Sequence, residues 1–371
     1  MPKQGYVQAD QARIAINSAA FSPRRAVATA VSLLLLTCAA QAQETLPEVT
    51  VKAEGETAAG PANGFVARRS ATGTKTDTPL AETPQSITVV TREQVEAQAA
   101  DSLDQAFGYS VGITPLTGGT QRRTGTAFVV RGFNVTGSAP LYLNGSKFPI
   151  NSLSGSIEPY NFERLELLKG PASILYGQAA PGGIINLVTK RPTATPLREA
   201  ELSFGSWGRK QVALDLGGPL NADGTLGYRV TGLVRDSQAM ISQIPDDRAS
   251  FNGVLDWKPR PGTQLTLLAG WQRDKSLYDY GKPREGTLLP NVNGRIRRDL
   301  FVGEPGFDYF NTKGATLGYL LEQRLGSDWR FRQNLLGCCL WPRVWPSAAR
   351  RRAGFCGWAF SPPPRWRRCW R

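Results

Sequence analysis

The sequence predicts an α+β domain followed by the first strands of an antiparallel, membrane-spanning β-barrel. Three observations carry that prediction. The stretch from Glu158 to Pro192 joins a short amphipathic segment, a Gly-Pro break and a glycine cluster at Gly177, Gly182 and Gly183. These are the ingredients of a small mixed unit with tight backbone turns. From Ala200 to Leu335, apolar and polar residues alternate in segments of about ten, as a bilayer-spanning antiparallel strand requires. The links between those segments are short on one side and long on the other, which is the polarity of a barrel with periplasmic turns and outer loops.

The N-terminus reads as an export signal. Arg24-Arg25 precedes an apolar run from Ala26 to Leu36, and Ala40-Gln41-Ala42 supplies a cleavage site before Gln43. Residues 1–42 are therefore a signal peptide, too short in its apolar part to span a bilayer. A lipoprotein cleavage at Cys38 is disfavoured by Thr37, where a small residue is usual.

As a globular protein, 371 residues would make two or three domains. The net charge of +14 is unevenly spread: the last 35 residues hold eight arginines and no acid, the first 42 add +3, and the body carries only +3. A basic total confined to the ends argues against a nucleic-acid partner. Four of the five cysteines lie beyond Gly337 and the fifth is Cys38. There is no histidine, so imidazole acid/base chemistry, Ser-His-Asp triads and His-ligated metals are excluded. No enzyme, resident metal or cofactor is expected.

Residues 43–75 hold Leu46-Pro47-Glu48-Val49-Thr50-Val51, and then an Ala-, Gly- and Thr-rich run read as a mobile tether. The α+β domain spans 76–192. A turn and strand over Asp77–Val90 lead into Thr91-Arg92-Glu93-Gln94, a capping-box pattern. Val95, Ala99, Leu103 and Phe107 continue at helical spacing. Phe128–Phe133 reads as a strand ending in an Arg-Gly-Phe turn, and Leu141–Gly145 as one ending in Asn-Gly. Phe162–Lys169 is the amphipathic segment, Ala172–Tyr176 a helix start, and Ile184–Thr189 an alternating strand.

The order of residues over Glu163–Pro192, ER-x-E-x-x-KGP-x-S-x-LYG-x-x-x-PGG-x-INLVTKRP, closely resembles the end of the plug domain of TonB-dependent outer-membrane receptors, in particular the siderophore class. The resemblance extends over about 45–336. It implies an α+β plug domain inside an antiparallel transmembrane β-barrel. It also implies a cell-outer-membrane location, contact with outer-membrane lipid, a monomer, and uptake of a ferric siderophore energised by TonB. Iron stays in its chelate, so the protein supplies no ligands to it. Leu46, Pro47, Glu48, Val49, Thr50 and Val51 match the TonB box, which adds as a strand to its periplasmic partner. Arg131 and Lys169 match the basic plug residues that lock onto barrel glutamates. Gln121, Arg122 and Arg123, with Phe148 and Tyr160, stand where relatives' plug apices meet the chelate, Tyr160 being expected to pack rather than to bind. The arginines would pair with an anionic complex.

The barrel part covers 193–336 and contains about seven strands where plugged transporters of this kind have about 22. From Gly337 the composition shifts to Arg, Trp, Pro, Gly and Cys, with Pro362-Pro363-Pro364 unable to join a ladder. The tail, 337–371, reads as translation out of frame, the alternative being a basic, aromatic surface tail. Seven strands leave open edges. The expectation is therefore a C-terminally truncated receptor that does not itself transport, or a periplasmic plug fragment that at most binds TonB or a chelate.

Overall fold

The computed structural model describes residues 55–115, 126–134, 141–148, 155–277, 281–304, 306–326, 329–341, 343–344 and 355–361, the last two as backbone only. The run after Gly55 is not a tether. Strand β1 (Arg69–Ser70) pairs with β2 (Thr78–Pro79), and the Ser70 and Thr72 hydroxyls donate to the buried Glu166. Small polar residues suggest a linker, but here Ser70 and Thr72 are buried and serve as donors to a buried carboxylate.

Strand β3 (Ser86–Thr91) leads into helix α1 (Arg92–Ala97), whose first turn is capped as expected, with the Gln94 amide donating to Thr91 Oγ1 at 3.2 Å. The helical spacing that continues to Phe107 is served by two helices rather than one. Ala99 takes a left-handed φ of 48°, and Ser102 caps a second helix, α2 (Leu103–Ala106). Asp101 and Ser102 bind nearby backbone more readily than they extend a helix, yet Val95, Leu103, Ala106 and Phe107 still reach one core.

Strands β4 (Ile113–Pro115), β5 (Phe128–Val130) and β6 (Phe133–Asn134) form a three-stranded sheet. Strands β7 (Leu141–Leu143) and β8 (Ser146–Lys147) are joined by Asn144 (φ 49°) and Gly145 (φ 79°). Arg131 (φ 49°) and Gly132 (φ 84°) do the same between β5 and β6. Positive φ at both central residues is what two-residue type I′ hairpins require. Strand β9 (Phe162–Lys169) is buried on both faces and lies mid-sheet, so its apparent amphipathicity hides a central strand. Its Arg164 and Glu166 are spent on internal partners. Helix α3 (Ser173–Tyr176) and strand β10 (Gly183–Thr189) follow, giving the order β3-β9-β10-β7-β8 with β10 parallel to β7. A Cβ at Gly182 or Gly183 would overlap the Val130 and Leu168 carbonyls, so this crossing admits only glycine.

Seven long strands follow: β11 (Leu197–Phe204), β12 (Lys210–Pro219), β13 (Leu226–Asp236), β14 (Asp247–Arg260), β15 (Thr263–Leu277), β16 (Tyr309–Leu325) and β17 (Trp329–Leu340). Each pairs antiparallel with the next. In β12, Gln211, Ala213 and Asp215 are buried against the α+β domain while Val212, Leu214 and Leu216 face out. Leu202, 69% exposed, and Val234, 61% exposed, belong to the same outer surface. The sheet is thus apolar outside and polar within, the arrangement of a membrane barrel wall.

The ladder does not stop at Leu336. β17 runs on to Leu340 against β16, with Cys338 opposite Thr316. Strand β18 (Arg343–Val344) pairs with β16, and β19 (Phe355–Ser361) pairs with β17. Trp, Phe and Cys suit a pleated surface, and Leu336 and Cys338 join the main core. The shift in composition therefore falls inside a strand. Among the described residues the sheet is open, with β11 and β19 at its edges.

Candidate functional site at the seat of the plug sheet

The polar inner face of the sheet holds the α+β domain through buried ionic groups. Asp215 of β12 accepts from Lys190 Nζ at 2.7 Å and from Arg229 Nη2 at 2.8 Å, with Arg92 Nη1 3.8 Å away. Arg92, at the start of α1, also bonds both carboxylate oxygens of Glu199 at 2.8 and 2.7 Å. Lys190 directly follows the last plug strand, where the chain crosses into the wall, so this hub ties the crossover to the first strands.

A second hub centres on Glu158, in the Glu-Pro-Tyr turn before β9. Its Oε2 accepts from Arg235 Nη2 and Arg248 Nη1, each at 3.0 Å. Arg248 also pairs with Asp274 at 2.6 Å and donates to the Ser156 carbonyl at 2.9 Å, and Gln272 reaches the same carbonyl at 2.7 Å. Asp101 meets Arg209 at 2.9 Å. At the other end of the sheet, Arg332 donates to the Lys75 carbonyl and Asn334 to that of Asn144. Burying such pairs gains little net stability, but removing one partner from a dry site costs about 3–5 kcal/mol.

Lys75 lies within this periphery. Its Nζ sits 3.3 Å from the centre of the Tyr176 ring and donates to the Gly145 carbonyl at 3.2 Å. Burial pushes its ammonium down to about 7.

The residues expected from the sequence are placed unevenly. Leu46–Val51 and Gln121–Arg123 lie outside the described residues. Phe148 packs against the main core and lines a cavity of about 100 Å³ between the plug loop and the wall, with Trp271, Asn252 and Thr316 opposite. Tyr160 is not at an open apex. Its ring lies 4.0 Å from Lys190 Nζ, and burial, together with the Asp215 charge, pushes its hydroxyl up. It packs at the first hub. Arg131 is exposed and Lys169 half-buried. Burial and the Arg131 charge both push Lys169 down, and neither forms an ion pair with another described residue.

Glu158, Asp101, Arg92 and Lys190 were missed by sequence reasoning as fastening residues. A signal was present: Asp215, Arg229, Arg235, Arg248 and Asp274 all fall on the polar phase of the alternating strands. Charges on the inner face of a wall need partners on whatever fills it.

Residues 79–184 match the family model described as TonB-dependent Receptor Plug Domain. The ferrichrome outer membrane transporter/phage receptor of Escherichia coli (strain K12) is 36% identical over 316 residues, 83% of this chain and 42% of that protein. The ferrioxamine B receptor of Salmonella typhimurium (strain SL1344) is 32% identical over 71% of this chain and 38% of its own length. Among solved structures, the ferripyoverdine receptor of the outer membrane of Pseudomonas aeruginosa bound to ferripyoverdine aligns with a TM-score of 0.65 at 22% identity, covering 79% of this chain and 40% of that one. The ferric-catecholate import receptor Fiu of E. coli K12 aligns at 0.66, also with 22% identity, over 75% and 40%. The chain thus spans about two-fifths of the length of the proteins it matches. A plug sheet closed by this glycine crossing, and keyed by acidic turns into a wall that is polar only on its inner side, marks this chain as a member of the TonB-dependent receptor family.

Proposed function

We propose that the chain is the plug and first wall strands of an outer-membrane receptor that takes up a ferric siderophore with energy delivered by TonB. One observation supports this above the rest: the inner face of the strands is charged and matched to the plug, while the outer face is apolar. A soluble sandwich would have the opposite need. In this reading residues 1–42 direct export, and Leu46–Val51 adds as a strand to the periplasmic domain of TonB. Gln121, Arg122 and Arg123, together with Phe148, meet an anionic ferric complex, whose iron stays in its chelate. Arg131 and Lys169 await carboxylates on wall strands other than those described. The receptor works as a monomer in lipid.

Ferrichrome and ferrioxamine B, named for the similar proteins above, are the cargoes to try first. The test is uptake of radioactive ferric siderophore by cells lacking their own receptors. A reading frame that continues the strands to closure should confer uptake that is lost on deleting residues 46–51, whereas the 371-residue chain alone should confer none. Uptake that survives the deletion would contradict TonB coupling. Uptake by the 371-residue chain would contradict the need for a closed wall.

A further inference from the structure

Along β14 the side chains alternate between the plug and the outer surface. Arg248, Ser250, Val254 and Asp256 are buried, while Phe251 and Trp257 are exposed. Continued alternation would turn Arg260 inward with the other even-numbered residues. It does not, because the register against β15 shifts between Trp257 and Arg260, and Arg260 comes to lie directly opposite Thr263. Thr263 pairs with Gln323, and Gln323 with Phe331, which is exposed on the outer surface. Directly opposed residues share a face of the sheet. The bulge therefore re-aims one arginine from the polar inside of the wall to its apolar outside.

Two more cations stand beside it. Lys258 and Arg324 are exposed on neighbouring turns. The Lys258 amide donates to the Thr225 carbonyl and the Arg324 amide to the Gly262 carbonyl, each at 2.7 Å, which fixes these turns side by side. The nearby carboxylates are engaged elsewhere. Asp256 is buried 3.9 Å from Arg191, and Glu322 takes Arg330 at 3.1 Å and Arg332 at 2.9 Å. Asp223, exposed on the turn before β13, is bonded to none of the three. The outer surface next to these cations is aromatic and aliphatic: Trp257, Phe331, Leu325 and Trp329, the last 79% exposed.

We propose that this margin of the wall is a seat for an anionic glycerophospholipid. The lipid phosphate lies among Lys258, Arg260 and Arg324, and the glycerol and upper acyl chains lie against Trp257, Phe331 and Trp329. Indole rings at a membrane margin sit at headgroup level, and each cation just beyond an apolar band favours anionic lipid by about fivefold in affinity. A soluble phosphate would use the cations and leave the aromatic margin idle. That this end of the wall meets the periplasmic leaflet rests on the receptor reading above. Its preference for anionic lipid does not.

Native mass spectrometry of the full chain in detergent micelles, with neither TonB nor siderophore present, tests the seat separately from that reading. The chain is titrated with phosphatidylglycerol or with phosphatidylcholine of the same acyl chains. The wild type should bind phosphatidylglycerol more tightly. Arg260→Gln should cut that preference about fivefold. The triple variant Lys258→Gln, Arg260→Gln, Arg324→Gln should abolish it and leave phosphatidylcholine binding unchanged. Arg273→Gln with Lys313→Gln, which removes two exposed cations from the other end of β15 and β16, should leave the preference intact. Equal affinity of the wild type for the two lipids would overturn the proposal. So would a preference that survives the triple variant, or one that disappears with Arg273 and Lys313. Displacement of phosphatidylglycerol by millimolar inorganic phosphate would also overturn it, because the cations would then hold a free anion and not a lipid.

Discussion

Replacing Glu158 by Gln would leave Arg235 and Arg248 converging on a neutral amide inside a closed interface. Their remaining partners, Gln211 and Asp274, soften the loss, so the cost should lie near the lower end for a broken buried pair, about 3 kcal/mol. Equilibrium urea unfolding in micelles would show it, and an unchanged midpoint would mean that Glu158 does not fasten the plug. Lys75 makes a second residue-scale prediction. In the unfolded chain its ammonium titrates near 10.4; in the folded protein burial brings it to about 7. Between those values the unfolded state holds the extra proton, so stability rises with pH. Below about 7 both states are protonated and the dependence ends. From pH 7 to pH 9 the wild type should gain more stability than Lys75→Met, and equal gains would refute the assignment. At this scale, local chemistry was legible: the Thr91 cap and the Asn144-Gly145 turn follow from residues within four positions of each other. Glu158 was not, because Arg235 and Arg248 lie 77 and 90 residues away.

At the scale of elements, the alternating strands were the most readable part of the chain, because period-two patterning is imposed by a wall with different solvents on its faces. The same asymmetry predicts that Leu214→Arg, on the outer face of β12, costs about 2–4 kcal/mol in a bilayer. Asp223→Arg, in the exposed turn between β12 and β13, should cost little, because the penalty falls away outside the apolar band. Folding into lipid vesicles, followed by protease protection, compares the two, and equal losses would argue against a lipid-facing surface. Three elements misled the eye for identifiable reasons. The 56–72 run has a linker's composition but is gathered by a distant arginine, Arg164, which donates to the Thr57, Gly60 and Arg69 carbonyls. β9 carries charges that its own sheet consumes. The helical spacing through Ala99 is real, yet Ser102 starts a new helix. The Arg- and Trp-rich stretch after Gly337 hid a strand because its composition, not its periodicity, drew the reading.

At the scale of the whole molecule, plug and wall are matched charge to charge. Complementary charges meet in both senses: Glu158 of the plug takes Arg235 and Arg248 of the wall, while Arg92 and Lys190 of the plug and crossover take Glu199 and Asp215 of the wall. Topology was legible because the glycine crossing at Gly182–Gly183 has a distinctive residue order; how the two parts grip each other needed coordinates. The proposed TonB coupling runs through the segment Leu46–Val51, and that is where the central claim is most directly exposed. The measurement is binding of the purified chain to the periplasmic domain of TonB, with Val49→Pro as the control, since proline removes a backbone donor that strand addition needs. Saturable binding by the wild type, abolished in Val49→Pro, is the expected result. Absence of binding, or binding indifferent to the proline, would contradict a TonB-coupled plug.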